Sequence, residues 1–382
     1  MDKFDVVVGI PTYNEADNIG FVVRQVDTGL RKFYPDKKAL IIDCDGRSTD
    51  RTKPVFLNTE TFAEKMFIET AGRKSGKGNV FKLLFKLVKK MKPEATMVVD
   101  ADLKSIEPDW VRLLVGPILS GYDYVTPVYV RERYDGTITN HIAYPLVYAL
   151  FGRDLRQPIA GDFAFSTKLA EYWLRQKWTR EAGKYGIDIF MTGHAILGGF
   201  DICQASLGRK IHRSSEPRLS EMFLEVVKTL FDMILNNKDR LKKIPIADEE
   251  KVFGIKTLPE PRKLKPNSQN ILQLALMEYQ KEEMKNYLSK ETFEEVNPMF
   301  FRREINIDEE LWARIVYDLL YSYFSRREKN DVVRTMRPLY FARVYTFFKQ
   351  IPEYTTEEVE YEIKRQAECF REMRGYFFER IN

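Results

Sequence analysis

The segment MVVDADLK (97–104) passes from apolar residues into two carboxylates, Asp100 and Asp102, with Ala101 between them. Residues two apart on a strand point the same way, so the pair can converge on one ligand. Like charges in proximity are costly unless a cation offsets them, and a divalent ion bound to phosphate oxygens does so. A helix cap is the plain alternative: Ser105 suits the helix expected from Asp109, whereas Asp102 lies too far upstream to cap at Pro108. A second segment, GRKSGKGN (72–79), precedes a helical pattern. Its glycines let backbone approach a phosphate, Lys74 and Lys77 supply charge, and a helix N-terminus adds a favourable dipole. It lacks the Ser or Thr after Lys77 that a P-loop needs, and a solvated basic turn is the alternative. His212 lies in GRKIHRSS beside Arg213 and is one of three histidines. It either completes a metal site begun by Asp102 or is an ordinary loop histidine. His141 and His194 fall on apolar helical segments and read as packed or surface residues.

Positioning these groups requires a frame, and the first 215 residues supply one. Short β-branched apolar runs at 5–11, 39–43, 66–70, 95–100 and 123–130 alternate with helical patterns at 18–33, 48–58, 79–91 and 109–119. This alternation predicts an α/β fold, a mostly parallel sheet with helices on both faces. Ligands of such sheets sit beyond the carboxyl ends of the strands, so PTYNE, DCDGRSTD, GRKSGKGN and DADLK belong on one rim. After residue 215 helix-spaced apolar residues dominate, interrupted by polar, Pro-containing connectors near 244–269 and 296–307. The expected division is a catalytic domain over 1–215 and an α-helical domain over 216–382. The many Phe and Tyr residues of the second are most simply core, with a subunit interface as the alternative.

The chain has 382 residues, 44% hydrophobic and 31% charged, enough for a sizeable core and no global disorder. A net charge of +5 and the lack of a basic arm argue against a nucleic-acid partner. Three scattered cysteines fit neither a disulfide framework nor a zinc site and suit a reducing, cytoplasmic setting. MDKFDVVVGIPTYNE opens on a strand and turn, without the pattern of a signal peptide. No stretch approaches the roughly 20 apolar residues of a membrane span.

Taken together, PTYNEADNIG, IIDCDGRSTD and DAD resemble the GT-A family of nucleotide-sugar glycosyltransferases, a Rossmann-like fold. The usual contiguous DDGS is interrupted by Cys44 and Arg47. More narrowly, GKGN, DADL, QPIAGDFAF (157–165), KYGIDIF (184–190) and RKIHR (209–213) occur in the order found in retaining mannosylglycerate, glucosylglycerate and glucosyl-3-phosphoglycerate synthases. The resemblance covers residues 5–215 well and the helical tail more loosely.

The resemblance implies transfer of glucose or mannose from UDP-glucose or GDP-mannose to a small carboxylate acceptor, with Mg2+ or Mn2+ as cofactor. It implies that Pro11, Tyr13, Glu15 and Asp43 line the base and ribose pocket. Lys77 approaches the diphosphate, with Gly76 and Gly78 shaping the turn, and Asp100 and Ala101 contact ribose and sugar. Asp102 and His212 hold the metal, and Asp188 bonds sugar hydroxyls. Backbone at Ile159 and Ala160 faces the anomeric carbon. Asp100, Asp188 and Lys77 are the catalytic candidates. Arg131, Gly136, Thr137 and Thr139 are the expected acceptor site, joined by Asp162 where the family has Glu. Thr137 stands where phosphoglycerate enzymes carry Arg, which favours D-glycerate over 3-phosphoglycerate. A homodimer is the expected assembly. The rival expectations are a peripheral polyprenyl-phosphate sugar transferase, a sugar-phosphate nucleotidyltransferase, whose Gly-rich N-terminal loop is missing, and a non-catalytic nucleotide-sugar-binding protein.

Overall fold

The structure is a computed structural model and describes residues 3–71, 76–212, 219–245, 248–255 and 268–381. The first half runs β1 (Val6–Thr12), α1 (Ile19–Phe33), β2 (Ala39–Asp45), α2 (Thr52–Asn58), β3 (Glu64–Glu69), α3 (Lys77–Met91), β4 (Ala95–Val98), α4 (Asp109–Leu119) and β5 (Tyr124–Val130). A π-helical turn (Thr139–Ala143) then leads into α5 (Tyr144–Leu150) and β6 (Arg153–Asp154). Next come β7 (Phe163–Phe165), α6 (Thr167–Arg175), α7 (Ile187–Leu197) and β8 (Ile202–Arg209). The remainder is α8 (Leu219–Asn236), α9 (Lys238–Leu241), β9 (Asp248–Glu249), β10 (Val252–Phe253), α10 (Ser268–Glu278), α11 (Lys281–Tyr287), α12 (Lys290–Arg302), α13 (Glu309–Ser325), α14 (Lys329–Gln350), α15 (Thr356–Glu372) and α16 (Arg374–Arg380).

The chain divides into two units, each made of separated stretches. One comprises Met1–Val130, Leu155–Pro217 and Glu250–Thr257; the other comprises Arg131–Asp154, Arg218–Glu249 and Leu258–Asn382. Residues 131–154 thus belong with the helical part, and β10 belongs with the sheet, a finer division than one boundary at 215.

The first unit is built on an eight-stranded sheet in the order β10-β8-β5-β7-β4-β1-β2-β3. Every neighbouring pair is parallel except that β7 runs antiparallel to β4 and β5. Alternation along β1 explains how helices are seated. Val6, Val8 and Ile10 enter one core together with Val22, Val26 and Val111 of α1 and α4. Gly9 faces the other side, where a Cβ would come within 2.5 Å of Leu84 of α3. Covering both faces is what lets the strands be apolar throughout, and it leaves the rim at their carboxyl ends for polar loops.

In the second unit the aromatic residues are mostly core: Trp312, Tyr317, Tyr323 and Tyr340 are among its largest fully buried side chains. The connector expected at 296–307 is instead helical up to Arg302, with Pro298 inside α12. Burial of Val296 and Phe300 on one face outweighs the hydrogen bond that a proline cannot donate. The connector near 244–269 contains β9 and β10. No helix of the described residues is long and apolar enough to cross a membrane.

Candidate active site

The loops after β1 and β2 are tied to one another. Thr12 and Asp45 are register partners, and the Thr12 hydroxyl lies between Asp43 Oδ1 (2.5 Å) and Asp45 Oδ2 (3.0 Å). Asp45 Oδ1 accepts from the N–H groups of Arg47 and Ser48, an Asx-type turn that supports positive φ at Arg47. The Asn14 N–H donates to Ser48 Oγ, Glu15 N–H to Thr52 Oγ1, and Thr49 N–H returns to Asn14 Oδ1. Pro11, Tyr13 and Glu15 are half-buried along this seam, and the Glu15 carboxylate accepts from Asn18. Asp43 is fully buried, and its Oδ2 has no hydrogen-bond partner among the described residues. Burial pushes its carboxyl up to about 7; Thr12 opposes this and Asp45 adds to it. A buried acceptor without a donor is suited to a ligand N–H.

A charged cluster forms where β4 ends. Lys77, the first residue of α3, places Nζ 3.3 Å from Asp188 Oδ2 and 3.6 Å from Asp100 Oδ1. Lys210, just past β8, reaches Asp100 Oδ2 at 3.0 Å and Asp162 Oδ2 at 2.7 Å. Asp162 Oδ1 accepts the Asp100 N–H at 2.9 Å, and Tyr129 donates its hydroxyl to Asp162 Oδ2. Burial works against the charge on Lys77, but Asp100 and Asp188 outweigh it and hold the ammonium above its ordinary range. Burial alone would raise Asp100; Lys77, Lys210 and His212 instead hold it below the usual carboxylate range. Asp188 is raised to about 6 by burial, opposed by Lys77, and its Oδ1 has no partner among the described residues.

The glycines around Lys77 do a different job from the expected one. A Cβ on Gly78 would lie 1.9 Å from the Ala182 carbonyl oxygen, and one on Gly76 would lie 2.5 Å from that of Gly183. Gly78 N–H donates to Lys184 O and Asn79 N–H to Gly183 O. The close approach these glycines permit is therefore to the backbone preceding α7, and it carries Lys77 to Asp188. The Gly78 amide is engaged there rather than open to a phosphate.

The segments that carry Asp102 and His212 are joined by neighbouring residues. Lys104 N–H donates to Ile211 O, and Ile211 N–H donates to Ser105 Oγ, both at 2.8 Å. Ser105 thus ties the two segments together; α4 starts at Asp109 without a side-chain cap. Both candidate ligands are half-exposed. Ala101 is buried in the core, which leaves only its backbone for a ligand, whereas Ile159 and Ala160 are half-buried.

Asp162 is not available to an acceptor. It is fully buried, and Asp100, Tyr129 and Lys210 occupy its oxygens, so it positions Asp100 instead. Arg131, Gly136, Thr137 and Thr139 all belong to the second unit. Arg131 pairs with Asp135 at 3.2 Å and lies under Gly136, whose φ is +67°. Thr137 and Thr139 are buried, and the Thr137 hydroxyl is engaged by Tyr340 at 2.5 Å. These two side chains serve the interior of that unit. His141 is buried there, with Nδ1 3.1 Å from Gln366 Oε1, and burial draws His194 down to about 4. Lys74 and Arg213 lie outside the described residues.

Sequence reasoning missed Lys210 and Tyr129. A signal for Lys210 was present: in an extended chain it points the same way as His212, two residues on.

Residues 7–172 match the family described as glycosyl transferase family 2. The glucosyl-3-phosphoglycerate synthase of Mycolicibacterium paratuberculosis is 25% identical over 246 residues, covering 59% of this chain and 71% of the relative. Structures of the Mycobacterium tuberculosis glucosyl-3-phosphoglycerate synthase are also similar. The complex with Mn2+, UDP and phosphoglyceric acid has 25% identity and a TM-score of 0.49, covering 60% of this chain and 78% of that one. The complex with Mn2+, UDP-glucose and phosphoglyceric acid has 26% identity and a TM-score of 0.48, covering 60% and 79%. The mostly parallel sheet gathers acidic and basic groups at its strand ends, and it is the stretch 7–172 of this chain that is similar to glycosyl transferase family 2.

Proposed function

We propose that the protein transfers glucose or mannose from a nucleoside diphosphate sugar to a glycerate-type acceptor. The observation that carries this reading is Lys77, held between Asp100 and Asp188 at the end of β4, where a diphosphate and its sugar would meet the protein. The unpartnered Asp43 Oδ2 would accept the ring N–H of a uracil or guanine base. Asp188 Oδ1 would accept a sugar hydroxyl, and Asp100 would fix the sugar and ribose.

The donor set fits a divalent cation shared with a diphosphate. Asp102 and His212 offer one carboxylate oxygen and one imidazole nitrogen on segments joined by two hydrogen bonds. No cluster of three or more protein ligands occurs among the described residues, so phosphate oxygens and water would complete the shell. When bound, Mg2+ or Mn2+ supplies positive charge to the departing diphosphate. Lys77 adds a second fixed charge from the side of α3. In the reaction, the bond from the anomeric carbon to the diphosphate oxygen breaks, with its electron pair on the oxygen. The acceptor hydroxyl oxygen bonds to that carbon, and its proton passes to the leaving phosphate.

The similar Mycobacterium tuberculosis synthase is seen in complex with phosphoglyceric acid. Here the Thr137 hydroxyl is turned to Tyr340, and no arginine follows Gly136, which favours unphosphorylated D-glycerate. The deciding experiment incubates the protein and Mg2+ with UDP-glucose or GDP-mannose, each with D-glycerate, 3-phosphoglycerate or a short polyprenyl phosphate. Release of nucleoside diphosphate with D-glycerate supports the proposal. Release with 3-phosphoglycerate alone moves the acceptor to the phosphorylated acid, and release with the lipid alone removes the glycerate reading. A cytoplasmic homodimer completes the proposal; sedimentation of a monomer at micromolar concentration would remove the dimer.

A further inference from the structure

Lys210 has a side chain only 3% exposed, so it is closed to donor and acceptor alike. Its ammonium faces inward, 3.0 Å from Asp100 Oδ2, 2.7 Å from Asp162 Oδ2 and 4.9 Å from the centre of the Tyr129 ring. Asp162 gives its other oxygen to the Asp100 N–H. Asp100 is therefore held twice by one wedge, at its amide by Asp162 and at its carboxylate by Lys210. The bare Cα of Gly161 leaves room for that carboxylate, since a Cβ there would fall 2.1 Å from both of its oxygens. Buried ion pairs add little stability over apolar packing of the same shape, because desolvation offsets the attraction. What such a wedge provides is a fixed orientation.

We propose that Lys210 is a positioning residue: with Asp162 and Tyr129 it sets the orientation of the Asp100 carboxylate, and through it that of the donor sugar, without touching the donor. This rests on the glycosyl-transfer reading of the site.

Three measurements on full-length Lys210→Met test it. A crystal structure should show the Asp100 carboxylate moved away from Gly161; an unmoved carboxylate overturns the proposal whatever the turnover. With UDP-glucose and Mn2+ saturating, kcat should fall about 100-fold, the scale of a misplaced reacting group. In a cycle with Asp100→Ala, the double variant should lose no more than Asp100→Ala alone. Lys210→Arg, which keeps the charge, should recover part of kcat. A variant that merely melts earlier, with wild-type kcat in its folded fraction, or losses that multiply, would overturn the role. Should Lys210→Met fail to fold, Lys210→Met with Asp162→Asn removes both buried charges, and the same displacement of Asp100 is required of it. If glycosyl transfer itself is the wrong reading, the wild type shows no turnover, while the position of Asp100 still decides this proposal.

Discussion

The Asp100 carboxylate occupies the space that a side chain on Gly161 would fill, with both oxygens 2.1 Å from a Cβ built there. Gly161 has no positive φ to explain it. Its requirement is steric and concerns one functional group. Gly161→Ala is expected to displace Asp100 and lower kcat about 100-fold, with circular dichroism retained. Steady-state kinetics on the purified variant check it, and a wild-type kcat would show that the carboxylate yields freely.

Asp188 sets a limit on working pH. Burial raises its carboxyl to about 6 against the opposing charge of Lys77. Only the ionised carboxylate can accept from Lys77 at Oδ2 and from a sugar hydroxyl at Oδ1 together, so kcat/KM should fall as pH drops through about 6. Lys77→Met removes the cation that favours ionisation, and the acidic limb should then move upward. The pH–rate profiles of the two proteins test this; a limb that stays in place in the variant would detach it from Asp188.

On the proposed reading, Asp43 gives up stability for a contact to the nucleotide base. Its carboxyl is raised from 3.8 to about 7 by burial, so between those values the folded state holds a proton that the unfolded chain has released. Stability contributed by the protonated form is complete below pH 3.8 and declines as pH rises towards 7, the reverse of a salt-bridged aspartate. About three pKa units correspond to roughly 4 kcal/mol at the upper end. Asp43→Asn should therefore melt later than the wild type at pH 8, with little difference at pH 4, while binding UDP or GDP less tightly. Melting curves at the two pH values, together with nucleotide calorimetry, provide the check.

How much of this was legible beforehand depends on whether a feature is local. The parallel sheet could be read because apolar runs such as DVVVGIP sit on strands buried on both faces, and β1–β5 fall close to the expected runs. The rim could be read because strand ends carry the polar loops. The antiparallel β7 could not, since three residues, Phe163–Phe165, leave no periodicity to detect. Long-range partnerships were also hidden. Nothing in GDFAF says that Asp162 would turn inward to the Asp100 amide, or that Ser105 would hold Ile211 rather than begin a helix. The glycines of GKGN were visible as close-approach residues, but their partner, the carbonyls at 182–184, lies about a hundred residues away in the chain.

Asp102 and His212 remain the test of metal chemistry that is independent of turnover. Both are half-exposed, and Lys104, Ser105 and Ile211 supply two hydrogen bonds that join their segments and that neither substitution removes. Asp102→Ala and His212→Ala should therefore fold normally. A metal shared between protein and diphosphate makes each affinity depend on the other by the same factor. In the wild type, Mn2+ should tighten UDP binding; in either variant that gain should shrink at least about tenfold, which is about 1.4 kcal/mol of lost coupling. Calorimetric titration of UDP with and without Mn2+ measures the coupling directly. If the His212 variant kept the full gain while the Asp102 variant lost it, the imidazole would be an ordinary loop residue and Asp102 the sole protein ligand of the pair.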